Sequence, residues 1–329
     1  QTREITVSIG TGSAVSFDDG STEVITVTGS RISAIDVTSV ESTTVFTADQ
    51  LEMLPVGRNL TAVALLAPGT VAGDSGFGNL ASFGGSSVAE NGYYLNGFDI
   101  TNTRTLTGFA ELPFDAIAQQ QVKTGGYGAE YGRSLGGVIN VVSKKGTNNW
   151  EFGTSLYLKP KSLRASAKDA YSYDPAVKAY QAFRSSDDRD NKSLVVQGGG
   201  PLIEDTLFIY GMIEGVDNER NDYDNGNSGR STANVTFDSP SALLKVDWNI
   251  NEHHILEFTG LRNKTEERQI DYTKPANESH TGYHGTMTND RTFHNGGNIL
   301  IGKYTGIITE EFNISATIGS IKNEIYTTP

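Results

Sequence analysis

The chain of 329 residues contains no cysteine. Disulfide staples, thiol nucleophiles and thiolate metal sites are therefore all excluded. It also lacks any run approaching 18 consecutive apolar residues, so it encodes no transmembrane helix; the strands of a membrane β-barrel alternate and barely register on hydropathy. Positive charge is scarce. With 26 Lys and Arg against 39 Asp and Glu, the net charge is -13. That is the wrong balance for a nucleic-acid surface, which needs clustered cations against phosphates. Hydrophobic residues make up only 36%, Pro is low at 9, and Gly is high at 37. No Gly-x-Ser-x-Gly elbow is present, so a serine hydrolase lacks its usual sign.

What is there falls into segments. Residues 23–31, "EVITVTGSR", alternate like a strand, with Val24, Thr26 and Thr28 on one side and Ile25 and Val27 on the other. Connector-like stretches flank this run. Thr47 with Gln50 three residues on forms a capping-box pattern, predicting a short helix that stops near Pro55. Residues 59–67 read as a second helix ended by Pro68-Gly69. Residues 70–150 are Gly-rich, with short strands expected at "NGYYLNGFDI", "QQQVKTGG" and "GGVINVVSKKG". A small mixed α/β globule fits this stretch.

From Trp150 the texture changes. Seven strand candidates follow, at 151–159, 193–200, 206–216, 241–250, 254–263, 297–308 and 312–322. In "SALLKVDWNI", Ala242, Leu244, Val246, Trp248 and Ile250 share one face, and Leu243, Lys245, Asp247 and Asn249 the other. In "FNISATIGS", Phe312, Ile314, Ala316 and Ile318 oppose Asn313, Ser315, Thr317 and Gly319. The connections 160–192, 217–240 and 264–296 are long and polar, whereas "PLIED", "NEH" and "TEE" are short. Alternating strands joined long–short–long–short are the pattern of a transmembrane β-barrel; a soluble antiparallel sandwich also alternates, but rarely gathers all its long loops at one end.

The segment 119–153 carries Tyr131-Gly132, Gly136-Gly137, Val138-Ile139-Asn140 and Lys145-Gly146, in that order, before the first barrel-like strand. It resembles the end of the plug domain in TonB-dependent outer-membrane transporters. "LPVGRNLTAVALLAPGT" and "YYLNGFDITN" are similar to the Oar-like subgroup. The resemblance implies an α+β plug followed by an antiparallel transmembrane β-barrel, with about seven strands present of an expected 22. The expected organisation is a tail of an N-terminal β-sandwich or linker at 1–22, a TonB box and connector at 23–46, the plug at 47–149 and the start of the barrel at 150–329. The chain is expected to be a piece of something longer. The resemblance assigns Glu23, Val24, Ile25, Thr26, Val27, Thr28 and Gly29 to the TonB box, a segment that adds as a strand to the partner TonB. ExbB and ExbD are implied behind TonB. Outer-membrane lipid, lipopolysaccharide and an extracellular peptide, protein, glycan or siderophore are the other implied partners, with no cofactor and no catalytic residue. Many siderophore transporters have Arg-Gly-Pro where this chain has Thr124-Gly125-Gly126, so the plug–barrel ion pair is expected instead at Glu130 and Arg133. A β-rich surface adhesin or a passive plugged porin are the rival readings.

Among the plug aromatics, Phe77, Phe83, Tyr93, Tyr94 and Phe98 are candidates to face an external ligand. "GYGAEYGRS" lacks the Gly-Lys-Ser/Thr ending of a phosphate loop. His280, His284 and His294 offer three imidazoles for zinc, and residues 188–190 and 221–227 are acidic tips that lack the closing Glu of a calcium loop; solvated loop side chains are the simpler reading of both.

Overall fold

The computed structural model describes residues 41–329 apart from 78–79, 103, 106, 172–179, 183, 224–231, 239, 274–283 and 310. The first part is built from β1 (Ser42–Thr47), α1 (Ala48–Met53), α2 (Leu60–Ala64), β2 (Thr70–Ala72), β3 (Ala81–Phe83), β4 (Gly92–Leu95), β5 (Phe98–Asp99), β6 (Ile117–Gly125) and β7 (Val138–Ser143). Its local signals are chemical. The Gln50 side chain accepts from the Thr47 N–H at 3.0 Å, starting α1. Asn59 caps α2 by accepting from the Ala62 N–H at 2.8 Å. Asn96 and Gly97 both take positive φ, 51° and 84°, which gives the tight turn between β4 and β5 the twist its strands need.

Five of these strands form one sheet in the order β1-β6-β7-β4-β5, and β2 pairs with β3. Every pair is antiparallel except β4 with β7. All of β4 and nearly all of β7 is buried, as expected for inner strands covered on both faces. Leu51, Leu60 and Val63 of the helices meet Val122, Leu95 and Ile139 of the sheet in the core. The connector expected over 23–46 ends earlier than anticipated: 42–46 belong to β1, held by the alternation of Val45 and Thr44 and by Phe46 packing on the core.

The second part is one large antiparallel sheet. It contains β8 (Glu151–Lys159), β11 (Asp188–Ile203), β12 (Leu207–Asp222), β13 (Thr232–Asp238), β14 (Ser241–Asn251), β15 (His254–Arg262), β16 (Thr265–Tyr272), β17 (Met287–Asn295), β18 (Gly297–Thr309), β19 (Phe312–Asn323) and β20 (Tyr326–Thr328). A small hairpin, β9 (Ala170–Tyr171) with β10 (Tyr180–Ala182), lies in the connection after β8. Register shows that several elements continue one another. β12 pairs Glu214 with Ser241 and Asp217 with Asp238, so one frame runs across Pro240, which lacks the N–H for the ladder. The same holds where β15 passes into β16, where β17 passes into β18 at Gly296 (φ 84°), and where β19 passes into β20. The eleven elements are therefore seven runs, each antiparallel to the next in chain order. These are the seven anticipated strands, but longer at one end. Stretches read as loop, such as 188–192, 217–222 and 265–272, continue the ladder because their backbones still pair although both faces are polar.

The two faces of this sheet differ. On β14, Lys245 is 2% exposed while Trp248 is 45% exposed. Leu243 and Asp247 share the covered side with Lys245, and Leu244 and Ile250 share the open side with Trp248. Pairing carries the pattern sideways. Leu194 and Val196 on β11, Ile213 on β12, Phe258 on β15 and Leu300 on β18 all stand on the open face. Open and apolar along several neighbouring runs, this face is a belt of the kind expected for contact with lipid. Trp150 and Phe152 stack at 5.7 Å over Gly200 and Gly198, where any Cβ would strike the rings. Above the belt the same face turns charged: Arg268 pairs with Asp290 at 2.6 Å and Lys264 with Glu324 at 2.9 Å.

Candidate ligand-facing site between plug and wall

Four contact points seat the first part against the covered face of the sheet. At the first, Arg58, set just before the α2 cap, pairs with Asp115 and lies 3.8 Å over the Tyr157 ring of β8. The Tyr157 hydroxyl donates to the other Asp115 oxygen at 3.0 Å, so one carboxylate takes an Arg from its own domain and a phenol from the wall. At the second, the tip of the β4–β5 turn reaches across: Asn96 donates to the Thr259 hydroxyl at 3.0 Å and to Ser143 at 2.9 Å. At the third, Asn263 donates to the Glu111 carbonyl at 2.9 Å and accepts from the Gly297 N–H at 3.0 Å. At the fourth, Phe98 packs so closely on Gly319 of β19 that an added Cβ would lie 2.6 Å from the ring.

Beside these contacts, towards the long connections, a cavity of about 380 Å³ opens between the loop 111–114 and the wall residues Tyr157, Asn191, Asn218 and Phe237. Neighbouring cavities of about 340 Å³ and 260 Å³ extend it in two directions. Glu111 stands at the mouth; the surrounding protein displaces water from its carboxyl and raises its pKa above the ordinary 4.5. Towards the short turns, a separate cavity of about 380 Å³ is bordered by Lys144, Lys145, Glu151, Gln197 and Tyr210.

The expected site residues are placed unevenly. Phe83, Tyr93 and Tyr94 are 2%, 1% and 4% exposed and belong to the interior. Tyr93 stacks on Phe109 at 4.4 Å, and burial pushes the Tyr94 phenol up to about 12. Apolar rings on inner strands gain more from packing than from solvent, so these three do not present themselves to a ligand. Phe98 spends its ring on Gly319. Phe77 alone of the five is openly exposed. Glu130 and Arg133 are exposed in the loop before β7, Arg133 with a φ of 63°. The described links to the wall run through Arg58, Asp115, Asn96 and Asn263 instead. Their sequence separations, 42 residues for Asp115 to Tyr157 and 163 for Asn96 to Thr259, hide them from local patterns. Residues 23–29 lie outside the described residues, as does His280. His284 is stacked between Tyr223 and Tyr272 at 4.8 and 4.4 Å, and His294 on Tyr326 at 4.4 Å.

Residues 36–138 match the family model of the TonB-dependent Receptor Plug Domain. This segment is a TonB-dependent receptor plug. The whole plug seen here, with its wall, also resembles solved structures: the outer membrane transporter YddB from Escherichia coli, at 18% identity over 84% of this chain and 38% of YddB with a TM-score of 0.57; and the siderophore receptor PirA from Acinetobacter baumannii, at 16% identity over 86% of this chain and 40% of PirA with a TM-score of 0.53. Beyond the plug, the antiparallel strands share the fold of part of the barrel wall in these solved structures. Among curated proteins, the TonB-dependent transporter Oar of Myxococcus xanthus is 28% identical over 153 residues, 46% of this chain and 14% of Oar. The chain spans a small part of that relative's length and about two-fifths of the solved transporters.

Proposed function

We propose that the chain is the plug and first wall strands of an outer-membrane transporter that binds an extracellular ligand and moves it with energy delivered by TonB. The observation that carries this reading is the pairing of opposites in one sheet: a plug seated on the covered, polar-rich face and an apolar belt on the other. A plug accounts for a wide lumen that must be closed at rest, which an adhesin does not have. The long connections face outside, the short turns near 203, 252 and 310 face the periplasm, and lipid with lipopolysaccharide surrounds the belt. Ligand enters at the mouth marked by Glu111 and Asn218. TonB, driven through ExbB and ExbD, pairs with Glu23–Gly29 by strand addition, whose affinity lies in backbone hydrogen bonds. The first strand to feel a pull from that segment is β1, which among the described residues pairs with β6 alone. No covalent step is assigned to any residue.

The test is proline substitution. Ile25→Pro and Val27→Pro remove a ladder donor and fix φ near -65°. Energised uptake is expected to stop while external ligand binding and heat-modifiable gel mobility persist. Normal transport by both variants would overturn the assignment of this segment.

A further inference from the structure

The cavity at the plug–wall mouth is one lobe of a longer groove. The three cavities of about 380, 340 and 260 Å³ all share one side chain, Phe237. The central and lower lobes also share Glu111, Asn263 and Thr265; the central and upper lobes share Asn191 and Asn218. Register sets the order across the wall. Asn191 faces Asn218, Asn218 faces Phe237, and Phe237 faces Glu267. A half-buried aromatic ring thus stands where the three lobes meet.

Amides stand beside Phe237 in all three lobes, among charged side chains of both signs. Asn263 is committed to Glu111 and Gly297, and Asn191 accepts from Arg164 at 2.6 Å. The side chains of Asn218, Asn295 and Asn323 make no hydrogen bond among the described residues, and they flank the ring from two sides. Each such amide offers a donor pair and an acceptor on adjacent atoms, the complement of one peptide unit. Apolar surface alternates with them: Leu112 and Val216 in the central lobe, Ile325 in the lower and Val235 in the upper. The cations of the groove are largely engaged. Arg58 holds Asp115, and Arg220 and Arg189 hold Asp222 at 2.9 and 3.9 Å. Glu111 and Glu267 add negative charge. Lys159, Lys192 and Arg164 also line the groove, but Glu214 and Glu219 stand among them, so a multiply charged anion would meet repulsion as well as attraction here.

We propose that this groove takes an extended, near-neutral peptide segment, with an apolar side chain of the peptide on Phe237 and its backbone on the amides of Asn218 and Asn295. The proposal rests on the transporter reading and names its ligand class. A neutral glycan and a ferric chelate are the competing occupants.

The detergent-solubilised full-length protein is incubated with an equimolar pool of end-blocked, uncharged octapeptides, and separately with maltoheptaose and with a ferric tris-catecholate. Retained molecules are read by mass spectrometry. Peptides with aliphatic or aromatic side chains are expected to be retained, and retention to fall about tenfold or more in Phe237→Ala and in the double variant Asn218→Ala/Asn295→Ala. Phe237→Leu restores apolar contact and is expected to recover most of it, whereas the belt variant Ile318→Ala retains peptide normally. Heat-modifiable mobility confirms that each variant is assembled. Peptide retention that ignores Phe237 overturns the proposal, and so does retention of none of the three probes. Retention of maltoheptaose or the chelate alone also overturns it, while leaving the transporter reading intact. Failure of that reading shows separately, as uptake insensitive to the proline variants at Ile25 and Val27.

Discussion

The plug and the wall follow opposite rules for the same side chains. In the plug, Tyr93, Leu95 and Ile139 are hidden, and the apolar side chains left outside, such as Met53 and Phe77, are scattered singly. In the wall, Trp248, Phe258 and Ile318 are outside, and Lys245 and Asp247 are hidden, with Lys245 between Asp247 at 3.4 Å and Glu257 at 3.2 Å. One solvent explains the first arrangement; two are needed for the second. A sheet whose open face is apolar and whose covered face carries paired charge suits a setting where lipid, as proposed above, takes the place of water on the open side. The plug then supplies the second half of the explanation, because it packs on the face that carries those charges.

This contrast can be broken at its strongest point first. Tyr93→Ala removes a fully buried ring stacked on Phe109 and should cost the plug about 3–5 kcal/mol. Hydrogen exchange should quicken across β4 and β7 while β14 and β15 stay protected. Equal loosening of the wall would mean that the two regions fold as one unit. Next in size, Leu244→Arg puts a charge in the belt and should cost about 2–4 kcal/mol near the midplane. Leu244→Ala should cost less than Leu243→Ala, on the covered face, when refolding into lipid vesicles is followed in urea. In the same medium, a belt that tolerates Arg is facing water.

A smaller effect probes the join between the regions. Arg58→Ala leaves the Asp115 carboxylate with Tyr157 alone, and should weaken plug seating by about 2 kcal/mol, since bonds to charged groups contribute about 1.5–3 kcal/mol and Arg58 is partly exposed. A double-mutant cycle with Tyr157→Phe should show coupling between the two; strict additivity would mean that the contact holds nothing.

The smallest effects depend on pH. Burial raises the Glu111 pKa, so the ionised group disfavours the folded mouth above that raised value. The penalty fades as pH falls towards 4.5, the ordinary carboxyl value, and is absent below it. Glu111→Gln should therefore stabilise the mouth at neutral pH and change nothing at acidic pH. Burial lowers the His284 pKa instead, so its neutral stack between Tyr223 and Tyr272 should weaken as pH falls below 6.5. Proton titration followed by NMR at His284 checks the direction.

How much of this was legible in the sequence followed from how local each signal was. The Thr47–Gln50 cap and the two-residue alternation of β14 are both short-range, and each formed as read, whereas the single strand expected at 91–100 is split by the turn at Asn96-Gly97. The seven runs were visible where one face was apolar. They were invisible above the belt, because Asp188–Ile203 and Leu207–Asp222 begin or end in stretches where both faces carry charge and only backbone pairing marks a strand. The plug aromatics misled for a related reason: Tyr93 and Tyr94 sit next to each other on β4, and only the layers on both sides of that strand bury both. Arg58, Asp115 and Tyr157 needed the fold itself, since nothing near Arg58 in sequence announces a partner in the wall.

The account stands on the opposite faces of the wall, and the absence of cysteine makes them directly measurable with single introduced labels. Nitroxides placed one at a time at residues 313–318 of β19, in the protein reconstituted in lipid, report contact with oxygen from the bilayer and with a water-soluble nickel chelate. Oxygen contact should peak at Ile314, Ala316 and Ile318 and fall at Asn313, Ser315 and Thr317, a two-residue period with the belt on the even positions. Equal access to the nickel chelate along all six would contradict a lipid-facing wall.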